Sequence, residues 1–318
     1  MNNFKKIGLT ALAGSLVATS VYAGEMSVAG SASWRISNHA GTDGGKTMAM
    51  GNQLTFTGGG EMDNGMNVAL SFILDQGDNE LVDDESSNAP FDNHSITVSS
   101  DAMGSITFAG EGASSAQNTL DTTAAGDIWD NTFASYTGPT NADADKVLTW
   151  TLPTVMDGLG VTTSYNMSSA GKEATIGYAL TYTGVEGLSV SYGFGEVGGN
   201  TAGTTGAEVT TMKASFAFGP ITAAMSINDY DITSESNEEQ SSYKISYSVS
   251  DELSVSYGSE THETTGQTSD EEFDQISVSY TTGGLTATVS QTNADNVVGA
   301  INSNTEQSKW NIGLSFAF

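Results

Sequence analysis

The chain contains no cysteine, only 4 prolines and only 9 basic residues among its 318. Without cysteine there is no disulfide scaffold, no thiol nucleophile and no thiolate-held zinc. The few Lys and Arg face 38 Asp and Glu, for a formal net charge of −29. That balance excludes nucleic acid as a partner, because phosphate affinity comes from clustered cations. It equally opposes docking on an anionic membrane surface. Long apolar runs are missing too: past the first two dozen residues, no stretch approaches the ~18 apolar residues of a membrane-crossing helix. Hydrophobic residues make up 37%, below the ~45–50% of ordinary globular domains, so a large conventional core is hard to supply. Glycine is abundant, with 37 residues, which favours turns and close backbone contacts over helices.

The N-terminal segment stands apart. Lys5 and Lys6, an apolar stretch from Ile7 to about Val17, and Val21-Tyr22-Ala23 have the three parts of a secretory signal, with cleavage expected after Ala23. The apolar stretch is too short, and too interrupted by Gly8, Thr10, Gly14 and Ser15, to be an anchor. Residues 1–23 are therefore read as a cleaved signal peptide and 24–318 as one β domain.

From Met26 onward, apolar and small polar residues alternate over eight to ten positions at a time, the period of a strand between two different environments. The C-terminal segment is clearest: Trp310, Ile312, Leu314, Phe316 and Phe318 share one face, and Asn311, Gly313, Ser315 and Ala317 the other. LSVSYG is written twice, at 188–193 and 253–258, with ISVSY at 276–280 as a third copy at irregular spacing. The pattern predicts sixteen strands, near 25–36, 47–60, 65–74, 93–99, 105–110, 147–152, 160–166, 174–183, 188–195, 208–218, 221–229, 241–249, 253–259, 273–281, 285–291 and 309–318. Their connections alternate between tight turns, such as Met62–Gly65 and Gly184–Gly187, and long segments that hold most of the acidic residues.

A soluble sandwich has no reason to sort its connections in this way. An antiparallel transmembrane β-barrel with short turns at one end and long loops at the other does. Its lipid band would be the Leu/Val/Ile/Ala face, with Trp34, Tyr165, Tyr178, Tyr182, Phe216, Phe218, Tyr243, Tyr247, Trp310 and Phe318 as candidates for the interfacial girdles. The Ser/Thr/Asn/Gly face suits a wet lumen. By the same parity Arg35, Lys213, Lys244 and Lys309 point inward.

Three segments carry a family resemblance: GEMSVAGSASW at 24–34, SDAMGSITFAGE at 100–111 and KWNIGLSFAF at 309–318. Over the whole chain after the signal, the sequence resembles a Gram-negative outer-membrane general porin of the alphaproteobacterial type. The resemblance implies a 16-stranded homotrimer in the outer membrane, with long external loops and short periplasmic turns, passing small hydrophilic solutes and cations by diffusion. It implies that the terminal Phe318 is part of the signal read by the barrel-assembly machinery. It also implies that the third external connection, 110–146, folds into the lumen as a constriction. Glu111, Asp121, Asp127 and Asp130 are then the selectivity candidates, and the four inward cations form the opposing wall. That wall departs from the family pattern, since Arg35 is the only arginine in the chain, so cation preference is expected. The second external connection would latch on a neighbouring subunit and meet lipopolysaccharide, and Asp83, Asp84 and Glu85 within it offer the oxygen ligands that Ca2+ prefers.

Other classes fit less well. An enzyme would need a base near a nucleophile, yet His94 and Ser95 alternate to opposite faces, and His39 and His262 are expected in external loops, so no catalytic residue is assigned. An acidic β adhesin would share the export signal and the acidity but would not need Phe318 at its end. A sugar-specific channel stays open through Trp129, Phe133 and Tyr136 in the 110–146 connection.

Overall fold

A computed structural model describes residues 26–40, 45–75, 93–110, 114–121, 123–126, 128, 146–166, 174–197, 206–232, 237–267, 269–297 and 306–318. Among the described residues there are sixteen strands and no helix. In chain order they are β1 (Met26–Ala40), β2 (Gly45–Glu61), β3 (Asn67–Asp75), β4 (Asn93–Ser100), β5 (Gly104–Ala109), β6 (Val147–Thr151), β7 (Leu159–Asn166) and β8 (Thr175–Tyr182). They continue as β9 (Leu188–Val197), β10 (Ala207–Phe218), β11 (Ile221–Ile232), β12 (Glu238–Ser248), β13 (Leu253–Thr264), β14 (Glu271–Thr282), β15 (Leu285–Asp295) and β16 (Gln307–Ala317). Each strand pairs antiparallel with the next, and β1 pairs with β16, so the sheet closes on itself. Closure leaves no edge strand, as spanning a bilayer requires, since hydrocarbon offers no partner for an open N–H or C=O.

The seam is the join between β1 and β16, where Trp34 lies opposite Leu314 and Arg35 opposite Gly313. Phe318 extends the seam one residue past β16: its N–H donates to the Gly30 carbonyl and its carbonyl accepts from the Gly30 N–H, both at 2.9 Å. Its ring occupies the space where a side chain at position 30 would stand, with a Cβ there only 2.4 Å from the ring. Phe316 stacks beside it at 6.0 Å between centroids.

The two faces divide as the alternation predicts. Ile312 pairs with Val289, Val289 with Val278 and Val278 with Val255, all on the outer face, while Ser290 and Ser277 follow the inner one. All ten girdle candidates take the outer phase. Trp150 joins them, and its indole N–H donates to the Met103 carbonyl in the β4–β5 turn at 2.9 Å. Six of the seven short turns carry a glycine in the left-handed region, namely Gly65, Gly104, Gly158, Gly187, Gly219 and Gly283. At Gly158 (φ 81) any side chain would also collide with the Gly184 backbone, 2.4 Å from a Cβ. The seventh turn, between β12 and β13, is held by the Ser250 hydroxyl, which accepts from the N–H groups of Glu252 and Leu253.

Strand positions follow the predicted ones, with one systematic difference: several run further at the end bearing the long connections. β12 begins at Glu238, β13 continues to Thr264, β14 begins at Glu271 and β15 reaches Asp295. Acids expected in loops, including Glu238, Glu260, Glu263 and Glu271, therefore lie on strands. Above the lipid band both faces are wet, so the alternation that marks a strand fades although the hydrogen-bond ladder continues. His262, expected in an external loop, is likewise part of β13 and buried.

Candidate functional site

Among the described residues, a cluster of buried apolar side chains is inside the barrel, not around it: Ala125 and Ile128 of the long β5–β6 connection with Phe273 of β14, Ala294 of β15 and Val297. Phe273, 1% exposed, is the largest apolar side chain in it. Burying an aromatic ring contributes about 1.5–3 kcal/mol, enough to draw this part of the connection onto the wall. The connection thus enters the lumen. Its neck is closed by the Lys146 N–H donating to the Gly110 carbonyl at 2.9 Å, and by the Gly110 N–H donating to the His94 carbonyl at the same distance.

From there residues 114–121, 123–126 and 128 form a strap over the inner wall. A single turn opens it, with the Thr119 N–H donating to the Ser115 carbonyl at 3.1 Å and the Ser115 hydroxyl accepting from the Asn118 N–H at 3.1 Å. The strap then crosses strand after strand. The Ala116 N–H donates to the Ser164 hydroxyl of β7 at 2.7 Å. The Gln117 amide donates to the Thr211 hydroxyl of β10 at 2.8 Å, and Thr211 passes the chain on to the Asn228 carboxamide oxygen of β11 at 2.6 Å. Further along, the N–H groups of Ala124 and Ala125 both donate to the Ser242 hydroxyl of β12, each at 2.9 Å. Gln117 is completely buried, and its amide is satisfied by this chain of contacts.

The cations under the strap are committed to it. Lys213 Nζ of β10 lies 2.5 Å from Asp121 Oδ2 and 2.8 Å from the Thr123 carbonyl. The other carboxylate oxygen of Asp121 accepts from the Thr123 N–H at 3.1 Å, so both oxygens are engaged. Lys244 Nζ of β12 donates to the Ala125 carbonyl at 3.3 Å. The inward parity read for both lysines thus leads them not to an opposite wall but to the back of the strap itself. Lys309 of β16 is buried, at the level of Thr292. Arg35 stands on β1 between Ala49 and Gly313, beside a 370 Å³ recess lined by small residues such as Ser33, Gly51, Thr288 and Ser315. The described strap contacts fall on β7 to β15, and Arg35 stands on β1, outside that arc.

At the mouth, the His262 imidazole is set between two carboxylates, with Nδ1 3.5 Å from Glu271 Oε2 and Nε2 3.9 Å from Glu238 Oε2. Sequence reasoning missed this group, as it missed Gln117, Ser164, Thr211 and Ser242. Serines and threonines occupy inner positions on every strand, and nothing local distinguishes those that meet the strap. Glu111, Asp127 and Asp130, and also Asp83, Asp84 and Glu85, lie outside the described residues. Among the described residues no group of His, Asp and Glu side chains is placed to hold a metal ion.

A closed sixteen-stranded antiparallel barrel is the fold the sequence resemblance implied, and the sequence itself matches the family model for Gram-negative porins over residues 8–318. The chain belongs to the Gram-negative porin family. Porins are channels of the outer membrane, and in that setting the long connections face outward and the short turns the periplasm. Solved structures of the same fold include an anion-selective porin from Comamonas acidovorans, 12% identical with TM-score 0.69, covering 93% of this chain and 100% of that one. Salmonella typhi OmpF in complex with daunomycin is 13% identical with TM-score 0.71, covering 93% and 98%. OmpT of Vibrio cholerae, in a trimer form, is 14% identical with TM-score 0.63, covering 93% and 100%. At such identities the likeness concerns the fold. No curated protein sequence matches the chain. Porins as a family are non-enzymatic channels.

Proposed function

We propose that this porin is a cation-preferring channel for passive diffusion of ions and small hydrophilic solutes, working as a homotrimer after removal of residues 1–23. The observation that carries the cation preference is the placement of Lys213 and Lys244, whose ammonium groups are held by the strap's own carboxylate and carbonyls. The Lys213 charge is met by Asp121 and both ammonium groups are turned toward the strap, while the chain keeps 38 acidic residues against 9 basic ones. Carboxylates at a narrow mouth attract cations and repel anions within about a Debye length, roughly 8–10 Å at physiological salt. The C. acidovorans porin, named as anion-selective, has the same fold, so the sign of selectivity rests on side chains and not on the barrel.

Asp121 acts in this reading as the strap's fastening, and Glu111, Asp127 and Asp130 as its selectivity carboxylates. Arg35 is the cation of the β1 wall. Phe318, which completes the seam, is the residue the assembly machinery reads. Asp83, Asp84 and Glu85 take Ca2+ at the outer surface, where lipopolysaccharide is the neighbour. Liposome swelling tests the function: proteoliposomes should admit small neutral sugars in order of size, and a small quaternary ammonium solute faster than a sulfonate of equal size. Equal rates for the charged pair refute the cation preference, and saturation by a single sugar would favour a specific channel.

A further inference from the structure

Three inward-facing glycines lie under the strap, and none has a backbone that needs glycine. Gly177 of β8, Gly193 of β9 and Gly258 of β13 are absent from the left-handed region that the turn glycines occupy. What each lacks is room. A Cβ at Gly177 would stand 3.1 and 3.2 Å from the backbone nitrogens of Ala116 and Gln117, and 2.6 Å from the Ser164 hydroxyl that receives the Ala116 N–H. At Gly193 it would meet Leu120 Cδ1 at 2.8 Å and Gln117 Cγ at 3.3 Å. At Gly258 it would meet Ala125 Cβ at 2.8 Å and Ala125 Cα at 3.4 Å. Gly313, also inward-facing but on β16, supplies the contrast: the nearest heavy atom to a Cβ there is a backbone oxygen 3.9 Å away.

We infer that Gly177, Gly193 and Gly258 are positioning residues of the pore, seats whose missing side chains let the strap lie against the wall and so set the width of the water path. The hydrogen bonds of Ser164, Thr211, Ser242, Lys213 and Lys244 fix where along the wall the strap rests. The seats fix how far it stands off. A methyl group inserted at a tight contact must displace the strap or the strand, and the strand is held by ladders on both sides, so the strap moves inward. Two of the seats end the two copies of LSVSYG, Leu188–Gly193 and Leu253–Gly258, which accounts for a repeat that the barrel alone does not require. Both copies run upward from a short turn and bring their glycine to the strap's level. The ISVSY copy at 276–280 lies on β14, which runs the other way, and its end points to a short turn.

The inference rests on the strap being the constriction of a diffusion channel, and its test separates the two. Gly258→Ala places a methyl group against Ala125 Cβ, and Ala125→Gly removes the methyl group it meets. In planar bilayers the Gly258→Ala trimer should show a smaller conductance step than the parent, and the double variant Gly258→Ala/Ala125→Gly should recover the parent's step. Gly313→Ala should conduct as the parent does. The same cycle is read without conduction from the temperature at which the folded barrel loses its heat-modifiable gel mobility: lowered by Gly258→Ala and restored in the double variant. Failure of Gly258→Ala to fold while the double variant folds also supports the seat. Parent-like conductance and melting of Gly258→Ala, or a double variant as impaired as the single, overturns it. A parent that melts in this pattern yet forms no conducting pore refutes the channel reading and leaves the seat standing.

Discussion

Replacing Lys213 by Met removes a charge and three strap contacts while keeping most of the side chain's volume. The contacts are Asp121 Oδ2 at 2.5 Å, the Thr123 carbonyl at 2.8 Å and the Asp121 carbonyl at 3.3 Å. The Asp121 side chain is 55% exposed and that of Lys213 24%, so the ion pair itself is screened and contributes about 0.2–1 kcal/mol. The part-buried bond to the Thr123 carbonyl has a charged donor and contributes about 1.5 kcal/mol. The long third contact adds little. Together the loss is about 2 kcal/mol of strap docking, or roughly a thirtyfold rise in the ratio of undocked to docked strap at about 1.4 kcal/mol per factor of ten. Single-channel recording reads it directly. Lys213→Met should show more frequent open-state current fluctuations than the parent, together with a reversal potential moved toward the cation limit, because Asp121 is freed and one positive charge is lost. Asp121→Asn keeps the Lys213 contacts to both carbonyls and should give a much smaller rise in fluctuation, with the reversal potential moved the opposite way. A quiet Lys213→Met trace with the parent's reversal potential would refute the clamp.

Other outcomes follow from the same geometry. Val289→Arg places a charge in the lipid band, level with Ile312 and Val278, and should destabilise the barrel by about 2–4 kcal/mol in detergent or lipid unfolding; Thr288→Arg, one residue away but inward, should leave stability nearly unchanged and reduce cation preference. Deleting Phe318 removes both 2.9 Å seam bonds to Gly30 and the stacked ring, and should sharply reduce the fraction of heat-modifiable barrel in outer-membrane preparations. Gly30→Leu, which fills the same space from the other side, should do likewise while leaving the C-terminus intact. Gln117→Ala gives up one buried bond to Thr211, about 1 kcal/mol, and should raise current fluctuation less than Lys213→Met does.

Most of the barrel was legible because each strand has one face in lipid and one in water, so Trp310 to Phe318 announce themselves by parity alone. Legibility failed where the two faces become alike. Glu238, His262 and Glu271 continue their strands above the lipid, with polar residues on both sides, and they read as loop. The strap's entry into the lumen was an expectation from family resemblance, since residues 110–146 show no period of their own. Its fastening could not be read at all. Ser242 and Ser246 are both inner serines on β12, and only the three-dimensional course of the strap makes Ser242 the acceptor of two backbone N–H groups. Parity placed Lys213 and Lys244 inward, and there it stopped: whether an inward lysine faces open water or the back of a strap depends on contacts some 90 to 120 residues away in sequence. The LSVSYG repeat was visible in the sequence, but its final glycine acquires a meaning only beside Leu120 and Ala125.

The zero-current potential of the purified porin in a planar bilayer, across a KCl gradient at neutral pH, bears most directly on the central claim. With Lys213 and Lys244 bound to the strap and 38 acidic residues against 9 basic ones in the chain, the dilute side should become positive as K+ crosses in excess, and the potential should shrink as total salt rises and screens the fixed charges. A dilute side that becomes negative, or a potential near zero at low salt, would contradict the account.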